Sequence, residues 1–180
     1  EEVSREDFAA AVNAIIHAEH IYIFGVKSAS YIASFLGYYL DVLFGNVTML
    51  NSTSKTATYE KLFRINSKDV MIGISFPRYS IMAVDAMSFA HERGAEVVAI
   101  TDSTVSPLVA NADSVLLARS DIASVVDTLV APLSLINALL VAVVIRCKDR
   151  ITDTLTSLEK VWQEQGIYTL GGREGQRDGS

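Results

Sequence analysis

The residues of this chain with the most chemistry to offer are hydroxyls and cations that directly follow apolar runs. In VMIGISFPRYS, Val70 to Ser80, an apolar stretch gives way to Ser75, Arg78 and Ser80. The run IYIFGVKSAS repeats the pattern with Gly25, Lys27, Ser28 and Ser30, and VVAITDS places Asp102 in a similar setting. Serine hydroxyls donate to phosphate or carboxylate oxygens, and an arginine fork binds them bidentately. Gly25 allows a tight turn or a close backbone approach. Hydroxyls after strands also cap helices. A set of them joined by two cations points instead to a small-anion site. Lys27 either joins that site or points to solvent. Asp102 either meets a ligand hydroxyl or caps the turn Asp-Ser-Thr.

Proton-transfer chemistry finds weaker candidates. Glu60 is the carboxylate best placed in sequence to act as a base, although a solvated helical Glu reads the same way. His17, His20 and His91 are expected to be structural or solvent-facing. No His, Cys and carboxylate spacing suggests a metal, and no nucleophile elbow or Walker loop occurs. No cofactor is expected.

These residues need a sheet to bring them together. Buried strands are predicted at Ile21–Phe24, Val47–Asn51, Val70–Ser75, Glu96–Thr101 and Ser114–Ala118. Helices are predicted from Ser4, over Ser28–Phe44, Tyr59–Ile65, Ile81–Arg93, Ser124–Lys148 and Thr152–Gln165. Ser106 to Ala110 makes about one further turn, and Pro132 should kink or break the long helix. Ser52 to Ser54 is a lid or an ordinary loop. Strands alternating with helices give an α/β fold, a three-layer αβα sandwich on a five-stranded parallel sheet. The carboxyl ends of its strands share one edge, where ligands bind.

Composition bounds the partners. Half the residues are apolar and the net charge is −6. This acidic balance opposes nucleic-acid binding by these residues alone. The apolar stretch from Ile122 to Cys147 is interrupted by Asp127, Pro132, Ser134 and Asn137, so a buried or interface helix is expected and no membrane span. The single cysteine, Cys147, reads as a small buried hydrophobe. A cytoplasmic location fits. Residues 1–19 read as a lead-in helix from an upstream module, 20–168 as one domain, and 169–180 as a disordered tail.

From Ile21 to Tyr168 the ordered series IYIFGV, VMIGIS, HERGAEVVAITDS, SPLVANADSVLL, VDTLVAPLSLINALL and LEKVWQEQGIY resembles a sugar isomerase (SIS) domain. The likeness is to the C-terminal effector domain of RpiR-type bacterial transcription regulators. It implies a flavodoxin-like or Rossmann-like fold and a phosphosugar or related anionic ligand. It also implies a homodimer or higher homo-oligomer, with DNA reached only through an upstream helix-turn-helix module. The family's phosphate loop commonly reads Ser-x-Ser-Gly-x-Thr. Ser75 and Ser80 match its ends, Pro77 stands at the middle serine and Arg78 at the glycine. In the first loop, commonly Gly-x-Gly-x-Ser, Gly25 matches, Lys27 replaces the second glycine and Ala29 the serine. The ligand-binding set implied is therefore Gly25, Lys27, Ser28, Ser30, Ser75, Arg78 and Ser80, with no catalytic residue. The alternatives are a phosphosugar isomerase and a dimerisation module that has lost its ligand. The apolar face around Ala131 to Ile145 is the expected dimer surface, and Leu135→Asp its probe.

Overall fold

The computed structural model of the chain describes residues 4–120, 122–123 and 126–168. Five short runs rich in β-branched and other apolar residues form the sheet: β1 (Ile21–Phe24), β2 (Val47–Leu50), β3 (Val70–Ile74), β4 (Glu96–Thr101) and β5 (Ser114–Leu117). All pair in parallel, in the order β2-β1-β3-β4-β5. Ile23 lies between Met49 of β2 and Ile72 of β3. The central strands β1 and β3 are buried throughout, as expected where helices cover both faces.

Alternation along the strands separates the two faces. Tyr22, Phe24, Met71, Val97 and Ala99 belong to one core cluster with Ala83, Ala86 and Met87. The last three lie on α4 (Ile81–Glu92), which packs against β3 and β4 and beside α3 (Lys55–Leu62). The alternate strand residues Ile21, Ile23, Ile72, Val98 and Ile100 are also fully buried, facing the other layer. That layer holds α1 (Arg5–His17) and α2 (Ala29–Phe44), which contact the sheet, and α5 (Val130–Arg146), which contacts both of them.

Local chemistry sets the helix limits. Ser4 Oγ accepts the Asp7 N–H at 3.2 Å, and Gly45 ends α2 at φ 67°, a left-handed conformation that costs glycine nothing. The third helix begins earlier than the expected Tyr59 because Ser54 Oγ caps the Ala57 N–H. A larger correction concerns the helix expected over Ser124–Lys148. Ile122–Ala123 (β6) and Val126–Asp127 (β7) pair antiparallel, and α5 starts only at Val130. Pro132 neither kinks nor breaks it. As the third helical residue it sits in the first turn, where a backbone N–H has no partner within the helix.

Contacts divide the chain into two units, the first ending at Cys147 and the second starting at Lys148. The second contains α6 (Lys148–Glu164), four residues longer at its start than the expected Thr152. The first helix, expected as a lead-in, packs on β5 and α5 within the first unit. Among the described residues no single helix is long and apolar enough to cross a membrane. The tail expected over 169–180 lies outside the described residues.

Candidate functional site

The strand order fixes where two loops must part. Chain connections leave β1 and β3 for opposite sides of the sheet, so a crevice opens at their carboxyl ends. A cleft of about 450 Å³ lies there, lined by the loop between β1 and α2 and the loop between β3 and α4. Lys27, Ser28, Ser75, Arg78 and Ser80 all line it.

Gly25 and Ser30 do not line the cleft; they shape its first wall. A Cβ on Gly25 would stand 2.5 Å from the Ala33 Cβ and 2.9 Å from the Ala29 carbonyl oxygen. Close approach of α2 to β1 therefore excludes any side chain there. Ser30 turns its hydroxyl onto the Lys27 carbonyl, which also accepts the Ser30 N–H at 3.1 Å. Ser28 stands at the start of α2 without capping it through its side chain.

The second wall is a closed loop. Buried Ser75 accepts the Ser80 N–H on Oγ at 3.0 Å, and Ser80 Oγ accepts the Ala83 N–H at 3.4 Å, capping α4. Each hydroxyl keeps its own proton to donate. Between them, Pro77 offers no N–H at all.

Lys27 (φ 55°) and Arg78 (φ 69°) are the only non-glycine residues with positive φ among those described. A left-handed conformation costs a residue with a Cβ about 1–2 kcal/mol. These are the two positions where the resembled family pattern has glycine and this chain does not. A cation with a left-handed backbone stands in place of each of these glycines. Both side chains are exposed, and among the described residues lining the cleft they are the only charged ones.

Tyr79 lines the cleft too, and serine-centred sequence reasoning passed over it. Its Oη donates to Asp102 Oδ1 at 2.8 Å. Asp102 thus ties the β3–α4 loop to the end of β4, and the Thr101 hydroxyl donates to Ser106 Oγ at 2.8 Å beside it. Burial, then the bond to Asp102, pushes the Tyr79 phenol above its ordinary value of 10.0. The signal available in sequence was a phenol between two loop residues already singled out.

The proton-transfer candidates lie elsewhere. Glu60 is exposed on α3 and does not line the cleft. His20 Nε2 pairs with Thr48 Oγ1 at 2.8 Å at the amino ends of β1 and β2, the opposite edge of the sheet. His17 Nδ1 meets the Asn13 carbonyl, and His91 lies 4.0 Å from Asp113. The Ser52 hydroxyl accepts the Ser54 N–H, so this segment serves the cap of α3 and does not reach the cleft lining. Among the described residues no cluster of His, Cys, Asp or Glu could hold a metal ion.

The SIS domain family matches residues 14–142. No curated protein matches the chain. Among solved structures, the sugar isomerase domain of an RpiR transcription factor from Sphaerobacter thermophilus is 33% identical, with TM-score 0.82 and 88% of each chain covered. The Vibrio vulnificus NanR protein, complexed with ManNAc-6P, is 19% identical with TM-score 0.77, over 91% of this chain and 62% of NanR. A Methanococcus jannaschii protein, whose structure was taken to infer a 3-hexulose-6-phosphate isomerase function, is 17% identical with TM-score 0.65, over 80% and 79%. The last two likenesses establish the fold alone. A sheet ordered around a β1–β3 crevice, the extended family match and the 33% identity converge: this chain belongs to the SIS domain family, in the form carried by RpiR transcription factors.

Proposed function

We propose that this chain is the metabolite-sensing domain of an RpiR-type regulator, and that it binds a sugar phosphate or related anion without transforming it. The carrying observation is the cleft at the β1–β3 junction. Two cations from separate loops line it, and none of its described lining residues is a carboxylate or histidine. Such a site can attract and orient an anion. Moving a proton between adjacent carbons needs a base within hydrogen-bond reach, and Glu60 is exposed on a helix outside the cleft lining. NanR, with the same fold, is complexed with ManNAc-6P. Gly25, Lys27, Ser28, Ser30, Ser75, Arg78 and Ser80 form or shape the binding site in this reading. The domain acts as a homodimer in the cytoplasm and reaches DNA through an upstream module. Ligand binding shifts the packing of the pair because the two arrangements differ in affinity for it.

Calorimetric titration with hexose and pentose phosphates, N-acetylmannosamine 6-phosphate and phosphorylated sugar acids, beside a coupled isomerase assay, tests this. Saturable binding without turnover is expected, with a raised melting temperature. Isomerisation abolished by Glu60→Gln overturns the sensor reading in favour of an enzyme. The absence of any binding overturns it in favour of a dimerisation module.

A further inference from the structure

Two cations in one cleft raise the question of how many anionic groups the ligand carries. They are not neighbours on one loop. Arg78 belongs to the loop that ends at Ser80, the cap of α4. Lys27 belongs to the loop across the β1–β3 junction, immediately before Ser28 and α2, and Ser28 provides no side-chain cap. Each cation therefore stands beside the N-terminus of a different long helix, where partial positive charge accumulates. Both line the same cleft, whose volume of about 450 Å³ falls within the range that holds small metabolites.

Backbone donors on the Arg78 side are reduced. Pro77 has no N–H, the Ser80 N–H is bound to Ser75 Oγ, and the Ala83 N–H is bound to Ser80 Oγ. Charge from Arg78 takes over part of the work of the missing donors. Nothing comparable explains a cation at Lys27, where glycine would suit the φ of 55° without strain. A second anionic group on the ligand does explain it.

Resting on the sensor reading above, we infer that the ligand is a diacid: a metabolite with a phosphate at one end and a second anionic group, a carboxylate or another phosphate, at the other. Arg78, with its planar fork, holds the phosphate beside α4. Lys27, a compact point charge, holds the second group beside α2. The class covers phosphorylated sugar acids and bisphosphorylated sugars, and leaves neutral-ended sugar monophosphates as weaker ligands.

The test is titration calorimetry of the full chain with four probes: glucose 6-phosphate, 6-phosphogluconate, gluconate and fructose 1,6-bisphosphate. The diacids should bind at least about tenfold tighter than glucose 6-phosphate, the effect of one charge-assisted contact. Lys27→Gly should abolish that preference by weakening the diacids at least about tenfold more than glucose 6-phosphate. This variant suits the backbone, so its folding is not at issue. Arg78→Gly should weaken every phosphorylated probe. Equal affinity for glucose 6-phosphate and 6-phosphogluconate overturns the diacid assignment and leaves the sensor reading standing. A Lys27→Gly variant that weakens both to the same degree also overturns it, by placing both cations on one phosphate. Binding of none of the four overturns the diacid assignment, and the sensor reading falls with it only when pentose phosphates and N-acetylmannosamine 6-phosphate also fail to bind.

Discussion

Ser75 and Ser80 hold the β3–α4 loop shut: the Ser75 hydroxyl accepts the Ser80 N–H at 3.0 Å from a position that is almost fully buried. Removing the acceptor leaves the half-buried Ser80 N–H without its side-chain partner. Ser75→Ala should therefore lower stability by about 1–2 kcal/mol and weaken binding of phosphorylated probes, because Arg78 sits inside the loop this bond closes. Chemical denaturation and titration calorimetry on the same variant read both effects. A loss of affinity without a loss of stability would show that Ser75 touches the ligand and does not hold the loop.

Stability and binding should move in opposite directions at Arg78. Glycine there relieves about 1–2 kcal/mol of left-handed strain and returns about 0.5–1 kcal/mol to the unfolded chain as entropy. Arg78→Gly should raise unfolding free energy by up to about 1.5 kcal/mol. Arg78→Ala keeps the strain and gains no stability. Either change should weaken anion binding by about 1.5–3 kcal/mol if the contact is charge-assisted. Urea melts of the two variants, followed by titration, check the pair. Strain retained at a binding cleft is expected where function selects a side chain that the backbone does not favour.

The Tyr79–Asp102 bond gives the alkaline stability a definite sign. The folded phenol titrates above its ordinary value of 10.0, through burial first and the hydrogen bond to Asp102 second. As pH rises past 10.0 the unfolded chain gives up this proton while the folded chain keeps it, so stability falls until the folded phenol ionises. Below the unfolded value its contribution is complete. Tyr22 shifts the same way, mainly by burial, so Tyr79→Phe should make the alkaline decline shallower without abolishing it. At neutral pH the variant should lose about 1 kcal/mol for the hydrogen bond. Thermal melts across neutral and alkaline pH would show both; an unchanged alkaline slope would mean that Tyr79 ionises equally in both states.

Gly25 works through contact and not through an unusual backbone angle. A Cβ there would meet the Ala33 Cβ and the Ala29 carbonyl, neither of which can swing away. Gly73 contrasts with it, since its closest neighbour would be the flexible Met87 Sδ. Gly25→Ala should thus cost about 1–3 kcal/mol, more than Gly73→Ala, and should distort the Lys27 loop enough to weaken anion binding. Comparing the two melting temperatures decides it.

The strands were legible because buried parallel strands are short, continuous apolar runs. Ile21–Phe24 and Glu96–Thr101 were located to the residue, and the β3–α4 loop was recognised from the hydroxyls that follow Ile74. The run before α5 departs from the helical expectation because apolar residues on both sides of Asp127 satisfy a helical period as well as a strand one. Only the pairing of Ile122 with Asp127 distinguishes them, and pairing is a tertiary fact. Side-chain direction was equally out of reach. Ser30 and Ser28 share a type, yet one bonds back to Lys27 and the other lines the cleft. The left-handed backbone at Lys27 and Arg78 was foreshadowed only by the glycines of the family pattern.

The same limit on side-chain direction decides how the dimer surface should be probed. Leu135 is only 9% exposed within its own chain. Leu135→Asp would bury a carboxylate in the core and cost upwards of about 3 kcal/mol, whatever the oligomeric state. The face that α5 turns outward carries Val141 and Ile145, at 58% and 70% exposed. Among the described residues of the first unit no element covers these apolar groups, and a second copy of the chain is the occupant a homodimer would supply. Val141→Asp and Ile145→Asp should therefore leave the circular dichroism spectrum intact and convert a sedimenting dimer into a monomer. Leu135→Asp should instead lose the folded spectrum. A Val141→Asp, Ile145→Asp double variant that still sediments as a folded dimer would move the interface off α5, to the exposed Tyr31 and Tyr38 of α2 as the next surface to test.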